Sequence, residues 1–136
     1  MKQLYILLIG TFMLTVVACN KETSTTQTEV MSTMLANKTW FLDYMGNGTL
    51  SKSYVGQSTY FVSFLKDGGI IDSDGLTGTY TVELIDNQPQ IHVQVKTANG
   101  NPLEVIYNII SIGDNKMVLW KQVLSVTPTF LYFTSK

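Results

Sequence analysis

Two kinds of apolar pattern divide the chain. Residues 4–18 form one apolar run, interrupted only by Gly10, Thr11 and Thr15. From residue 37 onward, apolar positions come in short runs separated by Gly, Asn, Asp and Pro. Helical spacing appears at Met31, Met34 and Leu35, which predicts one or two turns ending before Asn37. Everything after it reads as strand: 40–45, 59–65, 70–72, 76–85, 90–96, 103–111, 116–123 and 130–133. The sharpest alternation is in 90–96, where Ile91, Val93 and Val95 face a core and His92, Gln94 and Lys96 face water. Tyr80, Val82 and Leu84 share one face in the same way, opposite Thr79, Thr81 and Glu83. Turn residues punctuate the runs at Gly46-Asn47-Gly48, Asp67-Gly68, Asp86 to Pro89, Asn99 to Pro102 and Gly113-Asp114-Asn115. Parallel pairing needs crossover segments, and the spacings leave no room for them. The expected class is all-β: an antiparallel barrel or sandwich of about eight strands, preceded by a short helical turn.

The apolar run at 4–18 has a different meaning. Lys2 precedes it, and Cys19, the only cysteine, follows it directly. A charged start, an apolar stretch and a small residue at the end are the marks of a secretory signal. Leu14-Thr15-Val16-Val17-Ala18-Cys19 resembles a bacterial lipobox, which implies cleavage before Cys19 and acylation of its thiol. A membrane-spanning helix needs roughly 20 apolar residues, and this run is shorter. The expected organisation is therefore a signal peptide at 1–18, a Thr- and Ser-rich tether at 19–30, and one domain at 31–136. Cys19-Asn20-Lys21-Glu22 also resembles the short signal that sends lipoproteins of Bacteroidetes-type bacteria to the cell surface. Placement on the outer membrane is expected, on its surface or its periplasmic side.

Charge narrows the partners. The formal net charge is −1 and arginine is absent. Recognition of phosphates leans on the arginine fork and on basic stripes, so nucleic acid is not an expected partner. A single cysteine, itself an acylation site, allows neither an internal disulfide nor a thiol nucleophile.

The order of features within the domain resembles the lipocalin-like lipoprotein domains of Bacteroidetes-type bacteria. Leu35-Ala36-Asn37-Lys38-Thr39-Trp40 matches their Leu-x-x-x-x-Trp opening. Phe64-Leu65-Lys66-Asp67-Gly68 is similar to their Phe-x-x-Asp-Gly hairpin, and Gly78-Thr79-Tyr80 to their Gly-x-Tyr strand. The resemblance covers 35–136 and implies an up-and-down barrel closed by Trp40. Two departures stand out. Lipocalins carry Gly two residues before the Trp, where this chain has Lys38, and they pack a late arginine on the indole, which this chain lacks.

Candidate chemistry centres on aromatic residues of the inward faces. Tyr60, Phe64, Tyr80 and Tyr107 are the candidate ligand-binding residues, because an eight-stranded barrel is just wide enough to be filled or to hold one small ligand. Buried tyrosine hydroxyls need partners, which a ligand's polar end would supply. His92, the only histidine, belongs to an outward face with no nucleophile placed beside it. Asp67, Asp72 and Asp74 lack the spacing of a calcium loop and suit turns that bond their own backbone. No metal site, cofactor or catalytic set is expected, and the chain is not expected to be an enzyme. Phe61, Ile106 and Trp120 are apolar on the outward side, which keeps a second expectation open: an envelope protein-interaction or inhibitor module with a filled barrel. The first expectation is a barrel, anchored by lipid on Cys19, that binds a small apolar or amphipathic molecule.

Overall fold

The computed structural model describes residues 25–96, 99–121 and 128–136. Cys19, the signal segment and the start of the tether lie outside the described residues. One helix, α1, covers 25–35. Nine strands follow among the described residues: β1 (Lys38–Gly46), β2 (Ser51–Ser53), β3 (Phe61–Phe64), β4 (Gly69–Asp72), β5 (Thr77–Ile85), β6 (Gln88–Lys96), β7 (Pro102–Ile112), β8 (Lys116–Lys121) and β9 (Thr129–Ser135).

All strand pairings are antiparallel, and each of β3 to β9 pairs with its chain neighbour. β1 pairs with β3 through Trp40↔Val62 and with β9 through Trp40↔Ser135, which closes the sheet on itself. The result is the expected up-and-down, lipocalin-like barrel of eight strands. β2 is an addition to it, pairing with the end of β1 at Gly46↔Ser51. The barrel's hydrogen-bond ladder closes within residues 38–136, and α1 adds a plug at one end. Residues 25–136 thus carry the whole described domain.

β1, β5 and β7 all switch between the same two ends, which differ in character. At the closed end the turns are tight: Asp67-Gly68, Asp86-Asn87 and 113–115. Asp86 and Asn87 both take positive φ (50° and 60°), the two-residue hairpin geometry that asparagine and aspartate tolerate. Gln88 and Pro89, expected in this turn, instead begin β6 opposite Ile85 and Leu84. At the other end, the mouth, lie the 47–60 segment and the 73–76 turn.

The core sits against the closed end. Leu35, Trp40, Phe64, Ile91, Met117 and Leu119 are almost fully buried and form one cluster with Ile70, Tyr80, Val93 and Ile109. Met31 and Leu35 dock α1 onto that cluster. Asn37, at φ 58°, ends the helix in the left-handed conformation and donates its N–H to Phe64 O, turning the chain into β1. The helix is longer than expected: residues 25–30, read as tether, are helical. Thr28 and Thr33 bond back to the carbonyls of Thr25 and Glu29, so hydroxyls that compete for backbone groups are satisfied inside the helix.

Trp40 is fully buried, and its Nε1–H donates to Leu35 O at 3.3 Å. Arginine is absent, and Lys38 places its Nζ 5.5 Å from the indole centroid.

Gly78 explains the Gly-x-Tyr motif. A Cβ there would meet Gln94 O at 2.1 Å and Val95 Cγ1 at 2.9 Å, because β5 and β6 approach closely at this register pair.

Candidate functional site

Alternation along the strands decides which side chains enter the barrel. Leu42, Val62, Val95 and Val105 project inward beside Val93 and Leu119 of the Trp40 cluster, but they do not fill the space. They enclose a cavity of about 350 Å³. Phe64, Ile70 and Phe133 also contribute to its walls. The cavity reaches the mouth at Tyr60, Ser73, Leu76 and Leu103.

Besides Tyr60 and Ser73, the polar lining residues are Tyr107, Asp72 and Lys121. Tyr107 lines the cavity, and its phenol is held above the ordinary value of 10.0, first by burial and then by the nearby Asp72 carboxylate. It is therefore a neutral O–H at neutral pH. Asp72 Oδ1 accepts the N–H groups of Asp74 and Leu76, each at 2.9 Å, which fixes the 73–76 turn beside the opening. Lys121, at the end of β8, shares the inward side with Met117 and Leu119. It lines the cavity and sets its Nζ 5.7 Å from the Tyr107 ring centroid.

The four candidate ligand-binding residues fall into different places. Tyr107 and Phe64 line the cavity, Phe64 towards the floor and Tyr107 on β7 beyond Val105. Tyr60 stands at the rim, 41% exposed, with its ring edge-on to Tyr54 at 4.8 Å. Tyr80 does not line the cavity. It packs edge-on to Phe64 at 4.9 Å, and its hydroxyl donates to Leu65 O at 3.2 Å, so its polar end is satisfied by the β3–β4 hairpin. Its placement with the cavity residues is corrected: β5 tilts it toward the closed end. Its own phenol is also raised, by burial and then by Asp67.

Sequence reasoning missed Lys121 and Tyr54, and it read Asp72 as a turn residue without placing it in the cavity lining. The parity of Met117, Leu119 and Lys121 was a usable signal, but β8 is apolar on both faces, so its inward side was not evident. Tyr54 is buried although it lies in the segment before β3. Its N–H bonds Asp43 O at 2.7 Å, and the ammonium of Lys52 sits 4.9 Å from its ring.

The remaining candidates are placed plainly. His92 faces outward, between Glu104 (3.4 Å) and Gln90 (3.2 Å), with no nucleophile beside it. Asp67 and Asp72 bond the backbone of their own turns. Among the outward apolar positions, Phe61 packs on Phe41 at 6.1 Å, Trp120 is half-buried and Ile106 is 40% exposed.

No family model matches the chain, and no solved structure matches it. Protein U59 of human herpesvirus 7 (strain JI) is similar in part: 31% identical over 83 residues, which is 61% of this chain and 24% of the viral protein. The chain thus spans about a quarter of that relative's length, and the relative's name states neither a ligand nor an activity. The functional argument rests on the barrel and its cavity.

Proposed function

We propose that the mature chain is a non-enzymatic lipoprotein of the lipocalin-like kind found in Bacteroidetes-type bacteria, whose barrel binds one small apolar or amphipathic molecule. Cys19 holds it, through lipid, to the outer membrane, on the cell surface or the periplasmic face. The observation that carries the binding role is the cavity of about 350 Å³, lined mostly by apolar side chains with Tyr60, Asp72, Ser73, Tyr107 and Lys121 as its polar groups. That volume lies at the small end of the roughly 300–1,000 Å³ usual for ligand sites. A ligand's apolar part would displace water from walls built of Val62, Val93, Val105 and Leu119, at roughly 25 cal/mol per Å² of apolar surface removed from water. Tyr107 O–H and the groups around it would meet a polar end.

The anchor rests on the lipobox of 14–19. Mass spectrometry of the native protein should find an acylated N-terminal peptide starting at Cys19, and Cys19→Ala should release the protein from membranes. Retention of that variant would remove the anchor from the account. For the barrel, residues 20–136 should bind the uncharged fluorophore N-phenyl-1-naphthylamine saturably, at one site per chain. Fluorescence that rises linearly without saturating would contradict a cavity site.

Exposed Ile106 and Ile110 on the outer face of β7 support a second reading, an envelope protein-interaction or inhibitor module. That reading expects a filled barrel, and the cavity weighs against it.

A further inference from the structure

We propose that the barrel selects amphiphiles with an anionic head, which Lys121 binds at the mouth while the apolar chain runs down toward Phe64. The proposal rests on the ligand-binding reading and adds the chemistry of the head group.

Lys121 is the argument. The residue is half-buried and lines a mostly apolar cavity that also holds Tyr107 and Asp72. A charge held beside apolar surface is stabilised by a partner. Among the described residues no carboxylate pairs with it, the one close acid–base contact being His92 with Glu104. Among the described residues its Nζ sits over the face of Tyr107 at 5.7 Å. Surface lysines need no such explanation, but this one shares the inward parity of Met117 and Leu119, both of which are buried. A carboxylate or similar anion at the mouth would pair with the ammonium and accept a hydrogen bond from Tyr107 O–H.

Asp72 is the group that opposes an anion there. Its Oδ1 is already engaged by two backbone N–H groups, so part of its charge is neutralised within its own turn. If Asp72 rather than Lys121 dominated, the site would prefer a cation.

The test uses three ten-carbon amphiphiles, decanoate, decanol and decylammonium, competing with N-phenyl-1-naphthylamine on residues 20–136 at neutral pH and low salt. Decanoate should compete best. Lys121→Met keeps the side-chain stem and should weaken decanoate roughly ten- to a hundredfold, the range for a charged hydrogen bond. It should leave decanol unchanged, and Lys121→Arg should restore decanoate binding. Thermal melts of each variant check folding. Equal competition by all three, preference for decylammonium, or a Lys121→Met variant that holds decanoate as well as wild type would each overturn the proposal. The ligand-binding reading would survive those outcomes. It falls instead if the uncharged fluorophore itself fails to saturate.

Discussion

Lys38 bridges two parts of the closed end. Its Nζ lies 5.5 Å from the Trp40 indole centroid and donates to Asp114 O at 2.7 Å. The same carbonyl accepts Ser135 Oγ at 3.2 Å, so β1, the β7–β8 turn and the end of β9 meet at one point. Lys38 thus joins three elements of the closed end through one cation. A lysine two residues from the Trp on the same strand face can reach over the ring.

Trp40→Ala should therefore be the most damaging of the closed-end substitutions, costing about 3–5 kcal/mol as a buried aromatic truncation. Lys38→Met removes the charge over the indole and the hydrogen bond to Asp114 O, and should cost about 0.5–2 kcal/mol, less than Trp40→Ala. His92→Ala should stay within about 0.5 kcal/mol, as surface substitutions do. Chemical denaturation of the three variants of residues 20–136 gives the order. Equal losses at Trp40 and His92 would contradict the plugged end.

Gly78→Ala should destabilise the barrel although it adds a single methyl group. The new Cβ would fall 2.1 Å from Gln94 O, a backbone atom held in the β5–β6 ladder. The strands must part for it to fit, and overpacking of this kind typically costs about 1–3 kcal/mol. Gly75→Ala makes a useful comparison. Its Cβ would meet open space, so any cost there comes from its φ of 78°.

The tyrosines predict a pH dependence at the alkaline end. Tyr80 and Tyr107 are both raised above 10.0, chiefly by burial. A group raised in the folded state binds its proton more tightly there than in the unfolded chain. The stability it contributes is present below pH 10.0 and declines as pH climbs through the folded value. Ultraviolet titration of phenolate in residues 20–136 should show Tyr80 and Tyr107 ionising late. Tyr107→Phe should remove one of them. Asp72→Asn should bring Tyr107 only part of the way back, because burial is the larger cause.

Much of the fold was legible because its strands alternate cleanly. Ile91, Val93 and Val95 face inward and His92 outward, as a period of two requires. Asp67-Gly68 turns β3 into β4 with Gly68 at φ 84°, a conformation that the glycine signals directly. Legibility failed where local preference and tertiary contact disagree. Threonines at 25, 26 and 28 argue against helix, yet the docking of Met31 and Leu35 extends α1 through them. Pro89 argues for a turn, yet Asp86 and Asn87 complete the hairpin without it. Within the site, Tyr107 and Phe64 followed from alternation. Tyr80 shares the right face but sits too near the closed end, and depth along a barrel axis is not written in a period of two. Lys121 was hidden because Val118 and Trp120 make the outer face of β8 as apolar as its inner one.

The most direct measurement fills the cavity. Val105 lines it midway between Phe64 and the mouth, and Val105→Trp should occupy the space without disturbing the closed end. In residues 20–136, the variant should melt within a few degrees of wild type and lose saturable binding of N-phenyl-1-naphthylamine. A variant that folds and still binds the fluorophore with wild-type affinity and stoichiometry would show that the ligand site lies elsewhere, and would contradict the account.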